Sequence, residues 1–362
     1  MSLNITQTFA KQGYTVDETT AIKKKGKLVG CVAKSDTVKN TITKENKKVF
    51  YVAGSGYDMG HMIGTLAPED AYAMVHQFPL NMIMNMLPED WNPLLKKWIA
   101  KKAFDVLKDL SKQTIDDIPQ PLIDEMKGLA DAVNAAKVGK EIDWKDVLTL
   151  NVGFDVITAF LSNPIGGFAD LLKEIAKHEL AVGIHSDYFT GKKPFLKPPC
   201  VCIAFSAFGK ATEGGNQHFF GRDFQFSPAG IYQNVAATII YVPDDGRIPL
   251  LSVGAPGFIG SITAMNAFGI AMGVDTAAAS NSNPEKVGLN SLLLVRHTIH
   301  TANSGSEVVD IVKKAPRGVP WIYPFSDGTN DKSGVIEAGM KTDKLDPWLY
   351  VGPELKKKKL DI

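Results

Sequence analysis

The apolar positions of this chain change period along its length. Between residues 26 and 53 they come in two short β-branched runs, GKLVGCVAKS and KKVFYVAGS, around a Lys-rich polar turn, which predicts two strands. From Pro68 to about Lys177 they recur at three and four, as in DAYAMVHQF, PLLKKWIAKKAFDVLKDL and PLIDEMKGLADAV. With Pro and Asn-Pro between the runs, this predicts a long helical region. Residues 186–199, SDYFTGKKPFLKPP, have three prolines and no helical period, so a loop or linker is expected.

From Cys200 the runs shorten. CVCIAFSAF, NQHFFGRDFQF, AATIIYVP, PLLSVGA and GSITAMNAFGIAMGVD are mostly bounded by Gly, Pro or Asp-Gly and read as antiparallel strands. The segment SLLLVRHTIHTANSGSEVVDIVKKAP predicts two helices split at Asn303 to Gly305, the second with a Ser cap and Glu307 near its first turn. PWIYPFSDGTNDKSGVIEA follows as a hairpin turning at DGTNDKSG, and ELKKKKLDI reads as a solvated tail.

The composition is that of an ordinary globular chain, 44% hydrophobic and 22% charged over 362 residues. Forty Lys and Arg against 39 Asp and Glu give no field that favours nucleic acid or an anionic membrane, so a small neutral partner is expected. No segment approaches the roughly 18 apolar residues of a membrane span, and the start MSLNITQTFAKQGYTV has no signal-peptide pattern. A soluble chain is expected, cytoplasmic or exported with its signal removed. Three cysteines, Cys31, Cys200 and Cys202, cannot build a disulfide framework and suit a reducing compartment or one functional thiol. The close histidine pair, His297 and His300, has no Cys or carboxylate at ligand spacing, so both are expected on a helix surface and no metal is implied.

The informative stretch runs from Cys202 to Phe226, CIAFSAFGKATEGGNQHFFGRDFQF. Gly209 stands seven positions after Cys202, Ala211-Thr212 follows, and Gly221-Arg222 stands on the next strand. This order resembles the opening of the mature chain in cysteine N-terminal-nucleophile hydrolases, the isopenicillin-N acyltransferase-like family related to choloylglycine hydrolase and acid ceramidase. Its register selects Cys202 over Cys200. GSGYDMGHMIG, DEMKGLADAV, DWKDVLTLNVGFD, ITAMNAFGIAMGVD and the SDG…SGVIEA hairpin resemble the same family, so the likeness covers roughly residues 50 to 340.

The resemblance implies an α+β fold, a four-layer αββα sandwich of two antiparallel sheets preceded by a helical pro-segment. It divides the sequence into N-terminal strands at 1–53, a pro-segment at 54–201 that becomes the α chain, a catalytic core at 202–345 and a tail at 346–362. It also implies self-cleavage between Val201 and Cys202, then attack of Cys202 on a linear amide to give a thioester. A thiol of ordinary pKa near 8.5 needs a base, and the α-amine freed by such a cut, with a pKa near 8, lies on the same residue. Arg222 is expected to favour thiolate or hold a substrate carbonyl. The family's carboxylate three residues after the Arg is Gln225 here, a departure that leaves Asp223, in place of the usual Asn, as a partial substitute, although adjacent strand residues face opposite sides. Asp275 stands where relatives tend to carry an Asn near the site, and Asn266 reads as a turn former before Gly269. Phe205, Phe208, Phe224 and Phe258 are candidate walls of an acyl pocket.

Relatives continue with a Thr-Asn-His-like strand that serves the oxyanion hole, whereas this chain stops about 25 residues after Glu337. The expected partner is a small-molecule amide or acyl compound, with a homodimer possible and no metal or organic cofactor. Two other readings stay open: a protein that keeps the fold as a binding or scaffold module, and a phospholipase B-like lipid hydrolase.

Overall fold

The computed structural model describes residues 4–161, 200–215, 217–277, 282–289, 291–341 and 349–351. The predicted linker at 186–199, the end of the helical run after 161 and most of the tail lie outside the described residues. Within them the chain is α+β, built on a twelve-stranded mixed sheet and a separate two-stranded hairpin.

The sheet runs in the order β1 (Tyr14–Val16), β3 (Lys27–Lys39), β4 (Asn46–Gly54), β7 (Ala237–Pro243), β8 (Leu250–Gly254), β9 (Thr263–Asn266), β10 (Ile270–Gly273), β12 (Trp321–Asp327), β13 (Lys332–Ala338), β14 (Leu349–Val351). Strand β2 (Ile22–Lys24) pairs with β3, and β11 (Asp275–Thr276) pairs with β12. Every pairing is antiparallel except one: β4 lies parallel to β7, Val49 opposite Thr238 through Gly54 opposite Pro243. The N-terminal strands are therefore part of the sheet to which the later strands belong, and the division at 53 and 202 is one of sequence, not of space. A purely antiparallel large sheet was expected; a single long-range parallel pair corrects it.

Strand β7 shows how the sheet was patterned. Ala237, Ile239, Tyr241 and Pro243 are buried while Thr238, Ile240 and Val242 between them are only half-buried, the two-residue period of a pleated strand. The buried set faces a helical layer of α2 (Gly56–Leu66), α3 (Pro68–Tyr72), α4 (Phe78–Met86), α5 (Pro93–Ser111), α6 (Gln120–Ala136) and α7 (Trp144–Leu161), together with α8 (Ser291–Thr301) and α9 (Gly305–Lys314). On the opposite face a small second core gathers Phe9 of α1 (Ile5–Lys11) with Val16, Cys31, Ala33, Val49 and Tyr51. Burial there pushes the Cys31 thiol up to about 11, which makes it an inert core residue.

The glycine spacing of GSGYDMGHMIG has a packing cause. Ser55 caps α2 by accepting the Asp58 N–H at 3.1 Å, and Gly56, Gly60 and Gly64 then recur every four residues along one face. That face lies against α6: a Cβ on Gly60 would sit 1.9 Å from the Glu125 carbonyl oxygen, and one on Gly56 2.1 Å from that of Pro121. The helices meet backbone to backbone, and the approach delivers the Glu125 side chain to the core.

Glu125 and Arg296 are both fully buried, with Arg296 Nη2 at 3.0 and 3.3 Å from the two carboxylate oxygens. Arg296 also donates to the Ile259 carbonyl at 2.7 Å and to His300 Nε2 at 2.8 Å, and its guanidinium lies 3.4 Å from the centre of the Tyr241 ring. Because His300 Nδ1 stands 2.7 Å from the Ile248 carbonyl, the ring is the neutral Nδ1–H tautomer, and burial followed by the Arg296 charge holds its pKa well below the usual histidine value. His300 is thus a core residue and His297 is half-buried, not helix-surface residues as the isolated pattern predicted. Substituting Gly60→Ala should lower the unfolding free energy by about 3 kcal/mol or more, since the new methyl meets rigid backbone. Urea denaturation checks this, and a loss under 1 kcal/mol would mean that α2 and α6 separate at little cost.

Candidate active site

Strands β5 (Cys200–Ala207) and β6 (Phe219–Phe226) form the two-stranded hairpin, with Cys202 opposite Phe224 and Ala204 opposite Arg222. Residues that share a face lie two apart, so Cys202, Ala204 and Ser206 point inward with Arg222 and Phe224. Gly209, at φ 55, takes the left-handed conformation that ends β5, and the Thr212 hydroxyl donates to its carbonyl at 2.9 Å. The Gly and Thr of the opening motif thus shape the turn.

Cys202 lines a narrow apolar cleft of about 60 Å³. The helical segment supplies one wall through Phe78, Met82, Phe104, Leu107 and Phe154, and the later part of the chain supplies the other through Phe224 on β6, Phe258 in the loop between β8 and β9, and Val274 after β10. Phe224 and Phe258, two of the four candidate wall residues, thus line this cleft. The segment read as a pro-segment contributes half of the cleft, a role not visible in its helical period alone.

Arg222 runs beneath this surface. Its Nη1 bonds the Asp275 carboxylate, its Nη2 donates to the Val274 carbonyl at 2.6 Å and its Nε to the Thr263 hydroxyl at 3.3 Å. The side chain is 5% exposed and crosses Gly273 so closely that a Cβ there would lie 2.6 Å from Nε. Asp275 is thereby placed at the site as the partner of Arg222. Around Cys202, burial raises the thiol pKa; the Gln225 backbone N–H and Arg222 lower it, and Asp275 raises it further, with a net upward shift.

Three candidates, Asp223, Phe205 and Phe208, are not brought to the cleft. Asp223 and Phe205 lie an odd number of residues from Arg222 and Cys202 and so face outward. Asp223 is exposed and accepts the Gln225 amide at 2.7 Å, on the outward face that the two residues share. Phe205 is 61% exposed and lays its ring over Gly221, where a Cβ would be 2.1 Å away. Phe208 stacks on His218 away from the cleft. Asn266 is a turn former: its Oδ1 accepts the N–H groups of Phe268 and Ile270, and its Nδ2 donates to the Ile299 and Ala302 carbonyls. Val201 precedes Cys202 within β5, opposite Gln225, so the expected cleavage site lies inside the paired strand.

The cleft ends at a polar group that the sequence did not announce. Ser291, at φ 36, lines it and donates to Asp155 Oδ2 at 2.8 Å. Asn151, one helical turn before Asp155, accepts the N–H groups of Ile259 and Gly260, both at 2.9 Å, and fixes the loop that carries Phe258. Among the described residues no group of three or more His, Cys, Asp or Glu is placed to hold a metal ion, and no helix is long and apolar enough to cross a membrane.

No family model matches the chain. It is 31% identical over 303 residues to an uncharacterised protein of Archaeoglobus fulgidus, a stretch that covers 83% of this chain and 44% of that protein. The chain thus spans less than half the length of this relative.

Burial pushes the Asp155 carboxyl up to about 7. The folded chain keeps this proton to about pH 7, while the unfolded chain releases it near 3.9, so between these values the unfolded state binds fewer protons. The contribution of Asp155 to stability is full below about pH 4, declines as pH rises and is lost above about 7. Asp155→Asn should remove this slope, so the urea midpoint of wild type should fall relative to the variant between pH 4 and 7. Parallel curves would mean that the carboxylate is ionised in the folded chain.

Proposed function

We propose that the chain is a self-processing cysteine amide hydrolase or acyltransferase of the N-terminal-nucleophile type, with Cys202 as nucleophile. The four-layer αββα arrangement belongs to this proposal, the large sheet and the β5–β6 hairpin contributing to its two β layers. The observation that carries it is the position of Cys202: a thiol on the wall of a narrow apolar cleft, over an Arg222 anchored on three acceptors. Such a slot suits the acyl group of a linear amide, with phenylalanine rings along the chain and the sulfur at its carbonyl.

The reaction assigns each group one task. Cleavage before Cys202 frees an α-amine that takes the thiol proton; sulfur then attacks the amide carbon, the C–N bond breaks as the amine leaves with a proton, and water or an acceptor amine resolves the thioester. Arg222 keeps the strand and the carbonyl in register. The two products of cleavage stay together through the Glu125–Arg296 pair, the Asn151 bonds to residues 257–260, the Asp155–Ser291 bond and the β4–β7 pairing. A phospholipase B-like reading differs only in the substrate that fills the slot. The second reading, a binding or scaffold protein, is favoured by Gln225, which faces outward where the family carries its carboxylate.

Intact-mass measurement of the purified protein should find fragments of 201 and 161 residues, together the 362 of the chain, and Cys202→Ala should remain whole. Arg222→Lys keeps the charge but loses the planar fork, and should cut turnover of an acyl-amide substrate roughly a hundredfold with little change in melting temperature. A folded wild type that stays uncut would favour the scaffold reading. Activity that falls only in step with melting temperature would reduce Arg222 to a structural residue.

A further inference from the structure

Four residues beyond Cys202 on the same face of β5, about 13 Å along the strand, Ser206 stands against a base of its own. Its Oγ lies 3.0 Å from His218 Nε2 and 3.1 Å from the Ser326 hydroxyl, which closes on the same nitrogen. At the other side of the ring Asp331 Oδ1 is 3.4 Å from Nδ1, within ion-pair reach though not yet aligned as a hydrogen bond. Catalytic contacts are commonly this loose before substrate binds. Phe208 stacks on the imidazole at 4.7 Å and 20°, which fixes its plane.

Asp331 is itself held for the task. It sits at φ 47, a left-handed backbone that aspartate tolerates, in a turn pinned by Asp327, whose carboxylate accepts the N–H groups of Thr329, Asn330 and Gly305. A proton on Nδ1 toward this carboxylate leaves the Nε2 lone pair for a hydroxyl. Ser326 is buried and beyond reach of a substrate. Ser206 is half-buried and lines a cleft of about 380 Å³ between the hairpin and β12–β13, walled by Phe205, Phe208, Phe220 and Phe325. Nothing in the Cys202 reaction uses these groups.

We propose that Ser206, His218 and Asp331 form a second, serine-based centre that hydrolyses small uncharged carboxylic esters. Ser206 Oγ bonds to the ester carbonyl carbon while its proton passes to His218 Nε2; the carbon–oxygen bond to the alcohol then breaks and that proton leaves with the alcohol. Water repeats the sequence on the acyl-serine, gives up a proton through His218 and releases the carboxylic acid with Ser206 restored. Ser206 is the nucleophile, His218 the proton carrier and Asp331 the group that orients it.

The test uses the full chain carrying Cys202→Ala, so that the Cys202 thiol contributes nothing, with a serine-directed fluorophosphonate probe and p-nitrophenyl acetate. Peptide mapping should place the phosphonate on Ser206, and ester turnover should disappear as the label forms. In the same background Asp331→Asn, at a side chain 64% exposed and so of little weight in packing, should slow labelling roughly tenfold or more, and His218→Gln should abolish it. If the folded parent takes no label at Ser206, the network is a clasp between the hairpin and β12 and the proposal fails. Labelling of Ser206 at an unchanged rate in both Asp331→Asn and His218→Gln would equally overturn it.

Discussion

The ion pair of Arg296 and Glu125 is the interaction on which the rest of the structure leans. A guanidinium without solvent contact must have every donor direction answered, and here the answers come from five parts of the chain: Glu125 on α6, Ile259 in the loop before β9, His300 on its own helix, the Ile248 carbonyl behind that histidine, and the Tyr241 ring on β7. Removing one partner from such a pair leaves a buried charge and typically costs about 3–5 kcal/mol. The glycine face of α2 belongs to the same arrangement, because only the bare Gly60 lets α6 approach and bring Glu125 to its partner. A surface helix pair could have been held by side chains alone. This one meets backbone to backbone along its glycines, with the Tyr57 hydroxyl donating to Asp131 across the contact.

From that pair the constraint runs to the site. Arg296 fixes the Ile259 carbonyl, and Asn151 fixes the Ile259 and Gly260 N–H groups, so the loop between β8 and β9 is bonded from both sides. The loop carries Phe258 and Ile262 into the cleft and leads directly to Thr263, which accepts from Arg222. Arg222 in turn lies under Cys202. A disturbance at Glu125 should therefore reach the thiol through these polar contacts and the short backbone from Gly260 to Thr263, most of them at buried atoms with few alternatives. The helical segment before Cys202 and the strands after it are parts of one cleft, which explains why a cut between them need not separate them.

How much of this was legible in the sequence depends on range. The strand segments from Cys200 to Ala338 and the split between α8 and α9 followed from local signals, short β-branched runs, Gly and Asp-Gly turns and a Ser cap, and the structure places them within about three residues, with β11 as a short strand not read separately. The inward set Cys202, Arg222 and Phe224 obeys the two-residue period of a strand once the pairing of β5 with β6 is known. The same parity excludes Phe205 and Asp223, which stood an odd step away. The parallel pairing of β4 with β7 spans nearly two hundred residues and leaves no local mark, because both strands read equally well as members of an antiparallel sheet. Burial of His300 was hidden for a similar reason: its neighbours on the helix read as a mixed face, and the Arg296 that neutralises its cost lies one turn away with a partner on a distant helix. The helical wall of the cleft, from Phe78 to Phe154, looked like ordinary core because apolar residues at helical spacing look the same whether they face a neighbour or a slot.

The electrostatics at Cys202 bear on why processing and turnover would be linked. Arg222 alone would stabilise a thiolate, but its bond to Asp275 places a negative charge beside the positive one, and the two act on the sulfur in opposite directions. Burial is the largest influence, and it outweighs the Gln225 N–H and Arg222 to favour the neutral thiol. None of the described cleft-lining residues is a histidine, so no neighbouring imidazole relieves this. On the proposed chemistry the intact chain therefore attacks its own backbone with a poorly ionised sulfur, a reaction helped only by the permanent proximity of the preceding carbonyl. Once the bond before Cys202 is cut, an amine of pKa near 8 lies on the same residue as the thiol and can accept its proton directly. The fixed Arg222–Asp275 pair then has no need to supply charge. Its rigidity becomes useful instead, because a guanidinium already bonded to a carboxylate, a hydroxyl and a carbonyl does not reorganise as the substrate carbonyl changes geometry. An arginine free to follow the sulfur would give a more acidic thiol in the uncut chain and a less ordered site in the cut one.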